Sequence, residues 1–312
     1  MRARSTLFTL FGDVVRPAGG EAWLTTLTAC MDALGFTPEA TRTALHRMSL
    51  EGWVEPRRKG RYALYRLTPK GVDRLEEAAA RIYRLRGADW DGRWRLLVCP
   101  SASRDVALGR ALRWMGFGRL SADVWVSPHP HGDRIEALLA EHGLAHRSHR
   151  FLTESRPGPA EAGRDGEDGR LTSDDDIVAR AWDLSELRDA HLEFLARWQD
   201  VEPPTEPRAA FTTRLRLIHH WRKFLFLDPG LPVSLLPPDS KGEAAAECFR
   251  TLYEAVSEPS WAFYDALEAA APGRPPDTPL PSSRRPDASP FAQGLAALDT
   301  RGRVPATPAR TS

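Results

Sequence analysis

At 312 residues, with 42% hydrophobic and 27% charged side chains, the chain has the composition of an ordinary globular protein and the length of two or three domains. Its net charge of +1 hides an asymmetry: residues 1–86 carry fifteen Lys/Arg against nine Asp/Glu, so the amino end is suited to a polyanion. Three scattered cysteines (Cys30, Cys99 and Cys248), no apolar leader with a cleavage site and no run of about 18 apolar residues argue against a disulfide framework, export and a membrane span, and a cytoplasmic protein is expected.

The first block is expected to be helical at its start. Ser5 reads as the N-cap of a helix with Leu7, Phe8, Leu10, Phe11, Val14 and Val15 at helical spacing, closed by Arg16-Pro17-Ala18-Gly19-Gly20. A second helix is predicted over Glu21 to Leu34, burying Trp23, Leu24, Leu27 and Met31, with Gly35 as its stop. Thr37-Pro38-Glu39-Ala40 opens a third, ending near Glu51 before Gly52. Strands are predicted over Trp53–Glu55 and Tyr62–Leu67, with the basic turn 56–61 between them, and Thr68-Pro69 caps a helix through Tyr83.

The second block reads strand (94–99), helix (104–115), strand (123–127), helix (133–141) and strand (144–152), with an extra strand near Leu120. That order is expected of a small ferredoxin-like unit. A polar, Gly- and Pro-rich stretch over 155–176 reads as a linker. Helical apolar stripes follow over 177–270, interrupted by a Pro-rich segment at 228–238, and the proline-rich tail from 272 is expected to be disordered.

The third helix carries the strongest functional signal. Thr41, Ala44, Leu45 and Met48 fall on one side, while Glu39, Arg42, Thr43 and His46 fall on the other with Arg47 at the margin. Arg reads guanine bidentately, Thr touches a thymine methyl or a phosphate, and His donates to either. The next hairpin crowds Arg57, Arg58, Lys59 and Arg61 at its tip, a repulsion that a nearby phosphate backbone relieves. Helix, helix, turn, polar-faced helix and basic hairpin together spell a winged helix-turn-helix.

Ala3-Arg4-Ser5 through Leu10-Phe11-Gly12-Asp13, Arg42 to Met48 with Glu51-Gly52-Trp53, and Tyr65 to Gly71 resemble the PaaX family of phenylacetic-acid-pathway repressors. Further on come Trp90 to Arg95, Leu112 to Gly118, Val124 to Pro128, Ala181 to Leu184, Phe226 to Pro229, Leu231-Pro232 and Leu235-Leu236-Pro237. The resemblance implies a winged helix, a central domain similar to the Cas2 fold and a family-specific helical C-terminal domain. It also implies a homodimeric repressor of a double-stranded DNA operator, relieved by an aryl-CoA thioester, phenylacetyl-CoA in the type members. The chain departs from the pattern at His46, where the family commonly has a small polar residue, at Ser240, where a Trp is expected, and in the length of 155–176.

The expected fold is therefore multidomain α+β. A winged helix-turn-helix spans 1–86, a ferredoxin-like, Cas2-like domain 87–154, a linker 155–176, a helical domain 177–271 and a tail 272–312. The DNA-binding candidates are Arg42, Thr43, His46, Arg47, Arg57, Arg58, Lys59 and Arg61. A basic run on a later helix, Arg214, Arg216, His219 and Lys223, is a candidate for effector phosphates or, alternatively, a set of internal salt bridges. A Cas2-like metal-dependent nuclease would need a carboxylate at the end of the first central strand, where the sequence reads Val98-Cys99-Pro100 with no acid before Asp105. The central block otherwise serves dimerisation or spacing. His129, His131, His142 and His146 lack the neighbours of a metal site, and no P-loop, dinucleotide or Gly-x-Ser-x-Gly motif is present, so no enzyme and no cofactor are expected. The other reading is a non-catalytic assembly protein whose winged helix contacts protein.

Overall fold

The computed structural model describes residues 1–83, 90–100, 102–155, 173–275, 277–284 and 290–291. These fall into two compact units interleaved along the chain. One gathers the described residues of Met1–Leu85, Glu193–Leu225 and Ala244–Asp299, and the other those of Arg86–Leu192 and Phe226–Glu243. The helical block predicted for 177–271 is thus shared between the units. Most of the predicted linker, 156–172, lies outside the described residues, but its end, 173–176, is the first turn of a helix. No helix among the described residues is long and apolar enough to cross a membrane.

In the first unit, α1 (Ala3–Leu10) widens into a single π-turn, Phe11–Val15. Ser5 lies inside α1 rather than capping it, because its Oγ accepts from the Arg222 guanidinium at 3.1 Å. The predicted second helix also needs correction. Glu21–Trp23 forms a strand, β1, and α2 begins only at Leu24, running to Ala33. Its sequence tolerates a helix, but the free edge of a neighbouring hairpin supplies β1 with backbone partners, pairing Glu21 with Arg66, Ala22 with Tyr65 and Trp23 with Leu64.

Next come α3 (Pro38–Leu50), β2 (Val54–Lys59), β3 (Tyr62–Leu67) and α4 (Pro69–Ile82), with the antiparallel strand order β1-β3-β2. Most of the predicted basic turn is strand, and the chain reverses over Gly60-Arg61, where Gly60 has φ 62°. Pro56 fits because β2 is an edge strand. Of the tail predicted from 272, residues 276, 285–289 and 292–312 lie outside the described residues; among the rest Gly273 packs against the Trp23 ring and Phe291 is buried.

The C-terminal helices of this unit close the core. α1 packs against α9 (Pro207–Trp221), and Phe211 and Leu215 of α9 with Trp261 and Tyr264 of α11 (Gly242–Ala269) join the same core. At the centre lies Asp13. Its carboxylate accepts from Arg214 Nε at 2.8 Å, from the Tyr253 hydroxyl at 2.8 Å and from the Tyr83 hydroxyl. Arg214, only 2% exposed, also donates to Tyr253 at 2.8 Å and lies over the Tyr253 and Trp261 rings. Burial pushes both phenols up, so each remains a protonated donor.

The second unit is an antiparallel sheet of order β5-β6-β4-β7, made of β4 (Trp94–Val98), β5 (Gly118–Arg119), β6 (Val124–Ser127) and β7 (His149–Thr153). With α5 (Val106–Trp114) and α6 (Asp133–Glu141) in chain order, this is the ferredoxin-like arrangement. The predicted strand 144–152 starts late, because Leu144 N–H returns to Leu139 O at 2.8 Å and a 3₁₀ turn, Ala145–Arg147, follows. One sheet face packs on α5 and α6 through Leu97 and Trp125. The other, through Trp94 and Val126, is covered by α7 (Ser173–Ala181) and by Leu231 and Leu235. The remaining helices are α8 (Ser185–Trp198) and the short α10 (Phe224–Leu227).

Two expectations follow. Asp13→Ala strands the Arg214 charge in the core and should cost about 3–5 kcal/mol, whereas replacing both residues by Leu should cost less than either single change; denaturant midpoints of the three variants check the order. In the second unit, burial pushes the His131 imidazole down to about 3, with the charges of His129, Arg134 and Arg95 adding to the effect. The native ring stays neutral while the unfolded one, near 6.5, takes a proton, so stability present above pH 6.5 is lost as pH falls toward 3. A urea series over that window should show a decline that is shallower in His131→Gln; equal slopes would contradict it.

Candidate nucleic-acid interface

The outward face of α3 follows from how its back is held. Thr37 caps it, accepting from Ala40 N–H at 3.2 Å, and Pro38 occupies the first turn, where its missing N–H costs nothing. Thr41, Ala44, Leu45 and Met48 are buried, Leu45 and Met48 completely. Arg42, Thr43, His46 and Arg47 are all exposed on the remaining arc.

The hairpin is bolted to the end of α3. Gly52 turns the chain at φ 73°, and Trp53 N–H returns to Met48 O at 2.9 Å. Thr68 then donates its hydroxyl to Gly52 O at 2.7 Å and its N–H to Trp53 O at 3.1 Å, while its Oγ caps α4 through Gly71 N–H. A Cβ on Gly71 would sit 2.3 Å from Trp53 O, so only glycine allows this approach. The Trp53 indole meets the edge of Phe8 at 5.1 Å and carries the Lys70 ammonium 4.9 Å above it.

On this mount Arg57, Arg58, Lys59 and Arg61 are all exposed. Strand pleating sends Arg57 and Lys59, opposite Leu64 and Tyr62, to one face and Arg58, opposite Ala63, to the other. Lys59 lies 5.8 Å over the Trp23 ring, and Arg61 Nε donates to the Tyr62 hydroxyl at 2.8 Å. Acids sit at the margins: Glu39 is 3.7 Å from Arg42, and Glu55 2.7 Å from Arg57. Glu51 accepts from Trp53 Nε1 and from Arg4; the indole hydrogen bond and the charges of Arg4 and Lys70 hold its carboxyl below its usual range. Among the described residues Arg47 and Arg58 make no ion pair.

Three further residues belong to this surface, and sequence reasoning gave them no role. Arg4 and Lys70 reach the end of α3 from elsewhere in the chain, where only the three-dimensional pairing with Glu51 reveals them. Leu50 is 75% exposed beside Arg47, although an apolar residue at a helix end reads as core.

The proposed effector cluster does not assemble as expected. Arg214 is committed to Asp13 in the core, whereas Arg216 and Lys223 are exposed. His219 is half-buried, its Nδ1 lying 3.4 Å from Thr9 Oγ1, and burial together with the Arg222 charge pushes its ring down to about 4. In the central unit Asp105 is engaged as the cap of α5, accepting from Leu108 N–H at 2.9 Å, and pairs with His142 Nδ1 at 2.6 Å. His129 bonds Gly230 O and His131 bonds Ser127 Oγ.

Family models match the chain in three successive stretches. A PaaX-like protein model covers residues 2–71, a PaaX protein central Cas2-like domain 87–164, and a PaaX-like protein C-terminal domain 182–266. Transcriptional repressor PaaX of Escherichia coli (strain K12) is 30% identical over 288 residues, which are 89% of this chain and 87% of that one. Among solved structures, protein Rv0674 from Mycobacterium tuberculosis is similar with a TM-score of 0.55 and 23% identity, over 85% of this chain and 98% of that one, a likeness of fold alone.

The Gly71 contact is open to a direct check. Gly71→Ala forces backbone against backbone and should destabilise the first unit by roughly 1–3 kcal/mol. An unchanged denaturant midpoint would show that Trp53 O is not where the hairpin mount requires it.

Proposed function

The chain belongs to the PaaX family, and on that premise we propose that it is a DNA-binding transcriptional repressor and not an enzyme. Its first seventy residues act as a winged helix-turn-helix: α3 enters the major groove with Arg42, Thr43, His46 and Arg47, and the hairpin lays Arg57, Arg58, Lys59 and Arg61 on the backbone or in the minor groove. The observation that carries this reading is the division of α3 into a buried back and an exposed front of hydrogen-bonding side chains, beside a hairpin of exposed cations. Such a surface gives groups of the right chemistry for base edges and phosphates, held on packed elements.

The protein works in the cytoplasm as a homodimer on near-palindromic half-sites spaced by about 34 Å per helical turn. It is released from its operator by an aryl-CoA thioester such as phenylacetyl-CoA, the effector that the family likeness implies. Within the basic run on and after α9, Arg216 and Lys223 remain exposed for the phosphates of such a ligand, with His219 beside them half-buried.

Binding titrations against salt test the reading. Each neutralised phosphate contributes a slope of about 0.9 in log affinity against log salt, so Arg57→Ala combined with Arg58→Ala should flatten the slope by about 2 and weaken operator and random duplex alike. Arg42→Ala should cost about 1–3 kcal/mol on the operator and relax the choice of one base. Equal losses from both variants on both duplexes would overturn these roles, and a salt-independent affinity would instead favour a protein-binding wing.

A further inference from the structure

Phe291 is the one aromatic residue after Tyr264 in the sequence, set in a proline-rich tail, and it is 6% exposed. Three rings receive it edge-on: Tyr83 at 5.5 Å, Tyr253 at 5.3 Å and Phe249 at 5.7 Å, with interplanar angles of 75°, 80° and 87°. These are the geometries in which the positive edge of one ring meets the negative face of another.

The walls of this slot are fixed by contacts that do not involve Phe291. The Tyr83 and Tyr253 hydroxyls both donate to Asp13, which is itself paired with Arg214. Trp221 stacks on Phe249 at 4.6 Å and 7°, and its Nε1 donates to Ile82 O at 2.9 Å. The slot is therefore preorganised for a ring, and Phe291 meets its walls ring to ring. A guest held that way is exchangeable for another aromatic ring.

We propose that the slot bounded by Tyr83, Phe249 and Tyr253 is a binding site for the aryl group of a small-molecule ligand, and that Phe291 occupies it as an internal competitor. The inference rests on the reading of the effector as an aryl-CoA thioester and assigns the place where its ring is recognised. Any ligand ring must displace Phe291, so its apparent affinity is reduced by the fraction of chains in which the slot is filled. Exchange also reaches Asp13, because two of the walls are its hydrogen-bond donors.

The test compares the full-length chain with Phe291→Ala by calorimetric titration. The probes are phenylacetyl-CoA, acetyl-CoA and benzyl alcohol, the last being a ring without a thioester. Phe291→Ala is expected to bind phenylacetyl-CoA and benzyl alcohol about tenfold more tightly than the parent chain, with acetyl-CoA unchanged. Equal affinities of both chains for the two aromatic probes, or an equal gain for acetyl-CoA, would overturn the proposal. If benzyl alcohol discriminates between the chains while no CoA thioester binds either, the slot stands and the thioester reading falls. If phenylacetyl-CoA binds both chains alike, the slot falls and the effector reading stands. Should the alanine variant not fold, fluorine NMR of the parent chain labelled with 4-fluorophenylalanine decides. The Phe291 resonance, assigned through Phe291→Leu, should move with phenylacetyl-CoA and not with acetyl-CoA, and an unmoved resonance refutes exchange.

Discussion

Burying a carboxylate and a guanidinium costs several kcal/mol per ion unless the two are paired and hydrogen-bonded, and this constraint organises the first unit. Asp13 and Arg214 are each 2% exposed at the side chain, so neither tolerates the loss of the other. Burial works against the Arg214 charge, and Asp13 together with Tyr253 and Tyr83 more than offsets it. The partners come from four places in the chain: the π-turn after α1, the residue that ends α4, α9 and α11. The wider turn at Phe11–Val15 carries Asp13 into the middle of these elements. An apolar cluster of equal volume would hold the helices together as well; the carboxylate adds three directional hydrogen bonds among them.

The exposed front of α3 is a consequence of that arrangement. Phe11, Val14 and Val15 flank Asp13 and join the same core as Leu45 and Met48, while the back of α3 rests on α1, which runs into that turn, and on α2. The hairpin is then tied to α3 through Gly52, Thr68 and Gly71 rather than through its own tip. Placing the rigid contacts at the base leaves the long basic side chains free to adapt, which suits a surface for a charged polymer.

Local chemistry was legible wherever the signal was local. The two faces of α3 follow from spacing alone, and the caps at Thr37 and Thr68 follow from residue type; all are found as read. Glu21–Trp23 was misread because Trp23, Leu24, Leu27 and Met31 fit helical spacing, and the partner that claims the segment, β3, is remote in sequence. Arg214 was grouped with Arg216 for its charge, yet its partner Asp13 lies 201 residues away and leaves no trace in the neighbouring sequence. Phe291 escaped for a related reason. Composition describes a segment by its average, whereas the burial of a single ring depends on three partners remote in sequence.

The acids around the candidate interface bear on its affinity. Glu39, Glu51 and Glu55 each hold an arginine, Arg42, Arg4 and Arg57, and every one of these side chains is more than a third exposed. Exposed pairs of this kind contribute about 0–1 kcal/mol each, so they barely stabilise the free protein. Against a phosphate or a guanine they act as competitors, since each arginine must leave its carboxylate before it binds elsewhere. A surface of wholly unpaired cations would attract any polyanion more strongly, without regard to its sequence. With part of its charge held at home and Arg47 and Arg58 outside these pairs, the surface attracts a polyanion less strongly than its number of cations alone would give.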